Sequence, residues 1–473
     1  MPSEFDVVVI GAGTGGYVAA IRASQLGLKV AVVEKQKALG GTCLIWGCIP
    51  TKALLEHAHA LKVVQNVKEW GVTIGEGAVG IDMNQVQARK DKVVSGLTKG
   101  IEFLFKKNKI EWIKGTATIT GRGRIDVVDG EKQSLSATKE IVIATGSTPR
   151  SVPGVEIDRK RIITSDEAIG LRKVPKSMVI LGSGAVGVEF ASIFRRFGSQ
   201  VTILELLPRI VPGEDEAISA ELEKSFKKQG ITIHTGTKVT KAVASADRVE
   251  IEAELPDGTT AKLNADYLLV ATGRGPVTTG LGAEGLGLSM DRGYISVDHL
   301  FRTGVPGFSA VGDVVSLGAG KVHPQLAHVS SAEGIVAAER IAGRATQPIN
   351  YDHVPACTYC DPEIGSVGWT EREAQERGYD VRVGTFPFFV LGRAKMAGEG
   401  EGFVKIVADK KYDEVLGVHM IGPRATELVA EATLALRLEC TVEELIRTIH
   451  AHPTFSEAVG EAAHAAHGAA IHM

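Results

Sequence analysis

Cys43 and Cys48 stand five positions apart in Gly40-Gly41-Thr42-Cys43-Leu44-Ile45-Trp46-Gly47-Cys48-Ile49-Pro50-Thr51-Lys52. Two thiols at this spacing can close a disulfide reversibly or supply half of a zinc site. No second Cys pair or His pair with ligand spacing lies near it in the sequence, so a complete zinc set is lacking there and no metal site is assigned. A coincidental pair is the competing reading; the dinucleotide-binding pattern just ahead of it points to redox chemistry. With five cysteines in the chain, a disulfide scaffold is excluded, and any disulfide is expected to be a working one. Cys357-Thr358-Tyr359-Cys360 spells C-x-x-C, but no partner ligands accompany it, so no second redox or metal site is assigned. Cys440 reads as a buried apolar residue. His464, His467 and His472 could bind a metal from one helix face, but a frayed terminus is the expectation.

The elements that position the thiols are legible in the glycines. Asp6-Val7-Val8-Val9-Ile10 is a β-branched run of the kind buried in a parallel sheet, and it flows into Gly11-Ala12-Gly13-Thr14-Gly15-Gly16. A helical stretch to Gly27 and a strand from Lys29 to Val33 follow, ending at Glu34. This is G-x-G-x-x-G between strand and helix. Gly11 makes the turn, Gly13 admits a pyrophosphate to the helix N-terminus, and Gly16 lets helix and strand pack closely. Glu34 suits a ribose 2′-hydroxyl. The unit recurs: Met178 to Leu181, then Gly182-Ser183-Gly184-Ala185-Val186-Gly187, a helix to Gly198 and a strand Val201 to Leu204, ending at Glu205. From Gly11 to Glu34, and again from Gly182 to Glu205, is 23 residues. A carboxylate at Glu205 repels a 2′-phosphate, which indicates NAD rather than NADP; Arg209 is read as a surface or capping residue.

Both units close alike, at Ile141 to Gly146 (with Ala144-Thr145-Gly146) and Leu268 to Gly273 (with Ala271-Thr272-Gly273), and a further strand, Gly307 to Val311, stops at Gly312-Asp313. Ligands lie beyond strand C-termini in open α/β sheets, so these ends are expected to face nucleotides. Helical propensity concentrates in Asn84 to Lys107 and Asp215 to Gln229, and the final stretch of about 125 residues reads as a separate mixed α/β domain. The whole chain bounds the rest. At 473 residues it holds roughly three domains. Lys plus Arg number 53 against 56 Asp plus Glu, so no basic excess marks a nucleic-acid or anionic-membrane partner. No apolar run is long enough to span a membrane, and no basic leader opens the sequence; a cytoplasmic location is expected. Glycine reaches 55 residues without a proline excess, which fits tight turns at ligand sites.

Taken together, these phrases resemble the flavin-dependent pyridine nucleotide–disulfide oxidoreductases over essentially the whole chain. The resemblance rests on both fingerprints, the G-G-T-C-x4-C-x-P-x-K stretch, and Thr303 through Gly312-Asp313. It also rests on Pro362 to Gly368 and on His450-Ala451-His452-Pro453-Thr454-Phe455-Ser456-Glu457. It implies an α/β fold with two Rossmann-like dinucleotide-binding domains, for FAD and NAD, and a C-terminal α+β dimerisation domain. The expected segments are 1–148 and 276–347 for FAD, 149–275 for NAD and 348–473 for the homodimer interface. Cys48 is then the thiol beside the flavin, Cys43 the one that exchanges with substrate, and His452, oriented by Glu457, the acid/base serving the opposite subunit. FAD contacts are implied at Gly11, Gly13, Gly16, Glu34, Gly41, Thr42, Lys52, Gly115, Thr145, Gly146, Asp313 and Ala327. NAD contacts are implied at Gly182, Gly184, Gly187, Glu189, Glu205, Ala271 and Gly273, with a Lys52–Glu189 ion pair where the cofactors meet.

The residues also narrow the disulfide. Ile21-Arg22 stands where glutathione reductases carry two arginines, no vicinal cysteines close the chain as in mercuric reductases, and Cys43 is present, unlike in soluble transhydrogenases. Lipoamide remains. The implied activity is reoxidation of protein-bound dihydrolipoamide through the Cys43–Cys48 disulfide and FAD to NAD+. The implied partners are the lipoyl domains and the E2 peripheral-subunit-binding domain of 2-oxoacid dehydrogenase complexes. A flavin-loaded sensing module with little turnover is the alternative, against which the set Cys43, Cys48, His452 and Glu457 argues. Three features depart from the family pattern: Ile45-Trp46 between the cysteines, Val329 where relatives often carry Lys, and a lengthened Leu317 to Pro324.

Overall fold

The structure is a computed structural model that describes residues 2–75, 77, 79–130, 132–283, 285–318 and 323–473. Of the lengthened stretch, residues 319–322 lie outside the described residues. The chain forms two compact units, one of residues 1–54, 84–150 and 273–349, the other of residues 55–83, 151–272 and 350–473. It is an α/β fold with two Rossmann-type sheets, the first carrying an antiparallel extension (Ala117–Gly121 and Arg124–Val127) and the second all parallel, and a C-terminal antiparallel sheet backed by helices.

In the first unit, Ser3–Ile10 lies between Val30–Glu34 and Gln133–Ile143, parallel to both, with Val8 opposite Ala31 and Ile141. Glu111–Lys114 extends one side and Phe308–Ala310 the other, again parallel. The uninterrupted apolar runs follow from burial on both faces. Val7 and Val9 pack with Ala20, Ala23 and Ala337, whereas Val8 and Ile10 pack with Ile113, Ile119 and Ile125. The helices Thr14–Gln25 and Ala327–Ile341 approach so closely that a Cβ on Gly334 would lie 2.5 Å from the Gly15 carbonyl oxygen.

The second unit repeats the arrangement with strands in the order Thr232–His234, Gln200–Leu204, Ser177–Leu181, Tyr267–Val270 and Ile162–Ile163, all parallel. Its antiparallel sheet runs Ala356–Thr358, Glu363–Gly368, Val415–Gly422, Phe403–Asp409 and Val381–Pro387. The helices Ala425–Arg437 and Glu457–Ala466 cover it through Val429, Ala432, Val459 and Ala462 against Val404, Ile406 and Val418. Met83–Lys107 and Glu216–Lys228 are helical, the latter capped by the Asp215 carboxylate accepting the Ala217 N–H. No helix among the described residues is long and apolar enough to cross a membrane.

The expected fraying of the C-terminus is corrected. The Ile471 and His472 amides donate to Glu461 Oε2, His472 Nδ1 lies 2.7 Å from Glu461 Oε1, and His467 Nε2 lies 2.8 Å from Asp413. Carboxylate partners hold His467 and His472.

Candidate functional site

Each glycine fingerprint is built from the same backbone contacts. Gly11 turns the chain at φ 98°, and a Cβ there would sit 2.4 Å from the Ala144 carbonyl oxygen; Gly182 does so at φ 100°, with the Ala271 oxygen at 2.5 Å. A Cβ on Gly16 would strike the Gly11 oxygen at 1.9 Å, and one on Gly187 the Gly182 oxygen at 2.1 Å. The middle glycines differ. Gly13 and Gly184 occupy the N-cap positions of Thr14–Gln25 and Ala185–Phe197 with no side-chain cap, and a Cβ at either would meet nothing within 4 Å. Two helix N-termini are thus left with open space above a residue that carries no side chain, a cradle for a pyrophosphate. These residues fit two dinucleotides.

Glu34 and Glu205 are buried at the ends of their strands. Glu34 accepts the Ala12 and Gln36 amides, each at 2.8 Å. Glu205 accepts the Ser183 amide at 2.8 Å, the Ser183 hydroxyl at 2.6 Å and the Leu207 amide at 2.8 Å. These bonds to their own glycine loops were not legible in the sequence. Arg209 is engaged elsewhere, with Nη2 donating to the Pro212 carbonyl and Nη1 3.4 Å from Glu216.

Around the first fingerprint, Gly41 packs so tightly that a Cβ would meet Gly13 Cα at 2.6 Å. Gly115, at φ 152°, donates its N–H to the Glu34 carbonyl. The Thr145 hydroxyl donates to the Val277 carbonyl at 2.6 Å, and Gly146 adopts φ 72°. Asp313 sits on the Gly312–Val314 turn and accepts the Ser147 hydroxyl at 2.6 Å, while Arg274 donates to that same hydroxyl. Ala327 begins its helix, and Val329, where relatives often carry Lys, is a core residue. In the second unit, the Ala271 amide donates to Leu181, and Glu189 is buried on Ala185–Phe197, accepting the Tyr359 amide at 3.0 Å. Gly273, in the first unit, adopts φ 104° and accepts the Arg150 amide.

The cysteines lie at two helix starts. Thr42 and Cys43 fall on the short helix Gly41–Ile45, and Cys48 is the first residue of Cys48–Gln65. The N-terminus of this long helix favours a thiolate at Cys48. Both cysteine side chains are half-buried. Cys43 is pushed well above the usual thiol range, first by the hydrogen bond with Cys48 and then by burial, with Lys52 opposing and Asp313 reinforcing the shift. Cys43 thus senses Cys48, Lys52 and Asp313 together. Burial, helped by the Cys43 charge, also raises Tyr17, a neighbour the sequence did not single out.

His452 is largely exposed, its Nδ1 2.7 Å from Glu457 Oε1, while Glu457 Oε2 accepts the Thr454 amide at 2.8 Å. The carboxylate thereby fixes the imidazole's orientation and leaves Nε2 to act. Cys357 is half-buried, Cys360 is buried, its thiol pushed up by burial, and Cys440 is half-buried against the core of the antiparallel sheet. No cluster of three or more His, Cys, Asp or Glu suited to a metal occurs among the described residues.

Residues 5–334 match the family described as pyridine nucleotide-disulphide oxidoreductase, and residues 354–463 its dimerisation domain. Among curated relatives, a Bacillus subtilis protein named dihydrolipoyl dehydrogenase is 46% identical over 484 residues, covering 100% of both chains. A mitochondrial dihydrolipoyl dehydrogenase from Schizosaccharomyces pombe is 44% identical, covering 99% of this chain and 91% of that one. The crystal structure of LpdA from Mycobacterium tuberculosis superposes with a TM-score of 0.87 at 26% identity, covering 98% and 99% of the two chains. The chain belongs to the pyridine nucleotide-disulphide oxidoreductase family.

Proposed function

We propose that this chain reoxidises protein-bound dihydrolipoamide to lipoamide, passing the electron pair through the Cys43–Cys48 disulfide and FAD to NAD+. The observation that carries this is the cluster of Cys43, Cys48, Lys52 and Asp313, in the unit whose first fingerprint fits FAD. We assign residues 1–148 and 276–347 to FAD, 149–275 to NAD and 348–473 to a homodimer in which each His452 serves the other subunit's cysteines. The glycines, Glu34, Thr42, Lys52, Thr145, Asp313 and Ala327 would hold FAD; Gly182, Gly184, Gly187, Glu189, Glu205, Ala271 and Gly273 would hold NAD.

A substrate thiolate attacks Cys43 Sγ, the Cys43–Cys48 bond breaks, and Cys48 leaves as a thiolate favoured by its helix N-terminus. His452 Nε2 takes the proton from the second substrate thiol, which then attacks the substrate sulfur of the mixed disulfide. Lipoamide closes and Cys43 departs as a thiol or thiolate, leaving both cysteines reduced. FAD, when bound, supplies the two-electron acceptor for the dithiol and the donor for NAD+. The electron source is read as the lipoyl domains of 2-oxoacid dehydrogenase complexes, with docking on E2 and a cytoplasmic location. The test is a steady-state comparison of dihydrolipoamide and reduced glutathione as donors, with NAD+ and NADP+ as acceptors. Turnover with dihydrolipoamide and NAD+ alone supports the reading; preference for glutathione overturns it.

A further inference from the structure

A buried imidazole in the first unit joins two segments that stand at the C-terminal edge of its sheet. His323 is 5% exposed; its Nε2 lies 2.7 Å from Glu333 Oε1, and its Nδ1 accepts the Gln325 N–H at 3.0 Å. A ring nitrogen that accepts carries no proton, so the imidazole is the neutral Nε2–H tautomer and donates to the carboxylate. Glu333 is fully buried, and its Oε2 accepts the Gly312 N–H at 2.6 Å. One nitrogen therefore holds the lead-in to the helix Ala327–Ile341. The other, through Glu333, holds the Gly312–Val314 turn that carries Asp313.

Both segments need holding. Gln325 has φ 53°, a left-handed conformation unfavourable for a residue with a Cβ. Leu326 caps the following helix without a side-chain bond. Gly312 has φ 78°, and a Cβ there would press on Ser330 Oγ at 3.1 Å. A buried carboxylate stripped of a donor is strongly unfavourable, so losing the ring would disturb Glu333 and the turn it anchors. The strand Phe308–Ala310, which feeds this turn, runs parallel to Gln133–Ile143, so the turn lies at the same edge as Gly11 and Thr145-Gly146.

We propose that His323 is a positioning residue for the flavin: it fixes the Asp313 turn and the start of the Ala327–Ile341 helix against one another, and so governs flavin retention and the flavin's surroundings. This rests on the reading that FAD lies beyond these strand ends.

The test uses the FAD-loaded protein, wild type and His323→Ala, His323→Gln and His323→Asn, and follows the visible absorption of the bound flavin and its release by fluorescence. His323→Ala should release FAD about tenfold faster and shift the absorption envelope, as expected for loss of a hydrogen bond to a charged group. His323→Gln retains an amide donor for Glu333 and should return release to within about threefold of wild type, with an unshifted envelope. His323→Asn, able to accept the Gln325 N–H as an Asx turn but too short to reach Glu333, should fall between. If His323→Ala does not fold, the difference between Gln and Asn carries the test. Wild-type release and absorption in all folded variants would overturn the proposal, as would a lowered melting temperature with both flavin readouts unchanged. A wild-type protein unable to take up FAD would overturn the flavin reading itself.

Discussion

Cofactor choice follows from Glu205, and its size can be worked from the site. The carboxylate is 7% exposed and pinned by the Ser183 amide, the Ser183 hydroxyl and the Leu207 amide, so it cannot swing away from an incoming charge. A 2′-phosphate placed where the fingerprint puts the ribose 2′-hydroxyl would come within about 4 Å of it. At an effective dielectric of about 20, one unit charge on each repels by about 4 kcal/mol. At about 1.4 kcal/mol per factor of ten, that is a preference for NAD of roughly a thousandfold. Arg209 offsets little of this, because its Nη2 is held by the Pro212 carbonyl and its charge already faces the Glu216 carboxylate at 3.4 Å. The assay is kcat/KM for NAD+ and NADP+ at saturating dihydrolipoamide. Glu205→Gln keeps an oxygen acceptor while removing the charge, and should shrink the ratio to about tenfold by deleting that repulsion. Glu205→Arg should narrow it further while costing about 1–3 kcal/mol of stability, because the Ser183 and Leu207 donors lose their acceptor. Equal kcat/KM for the two cofactors in the wild type, or an unchanged ratio in Glu205→Gln, would refute the reasoning.

Cys48→Ser should abolish dihydrolipoamide oxidation while FAD stays bound, because flavin retention depends on the fingerprint; normal turnover would refute the assignment of the pair. Cys48→Ser and His452→Gln subunits, each nearly inactive alone, should regain about half the wild-type activity per heterodimer, because one of two symmetric sites then carries neither defect. No recovery in demonstrated heterodimers would place the histidine within its own chain's site. Glu214 is pushed up to about 7, chiefly by burial, so the folded state holds a proton that the unfolded chain releases near pH 4.5. Its burden on stability is therefore absent below about pH 4.5, grows as pH rises and is complete above about 7. Urea unfolding of Glu214→Gln should show a gain of about 3 kcal/mol at pH 8 and none at pH 4.

The two nucleotide units were legible because strand, glycine turn, helix and acidic end recur at one spacing, and each of those features has a single physical reason. The helix Glu216–Lys228 was legible from its helical propensity over Asp215 to Gln229, whereas its Asp215 cap emerged only in the structure. Contacts between residues far apart in the chain carried no such local signal. Nothing in the neighbourhood of Ser147 foretells its hydroxyl bond to Asp313, 166 positions on. His323 could have been noticed only as an aromatic polar residue beside a departure from the family pattern. The C-terminal histidines misled because a polar tail looks solvated, whereas Glu461 and Asp413 capture His472 and His467 once the helix Glu457–Ala466 has folded.

The duplicated acids show why the spacing is so strict. Glu34 accepts the amide of the residue just after Gly11, and Glu205 that of the residue just after Gly182; each also accepts the amide two residues beyond itself. The carboxylate therefore ties the end of the second strand to the glycine turn of the first, whatever is bound there. Moving the acid by one residue would turn its side chain to the other face of the strand and leave those buried amides without an acceptor. A 23-residue interval therefore satisfies the fold before it satisfies a ribose. Under the proposed assignment, the carboxylate's remaining lone pairs would meet the ligand. Specificity and folding share one side chain at each site, so exchanging the cofactor by substitution at Glu205 alone must weaken the turn that holds the pyrophosphate.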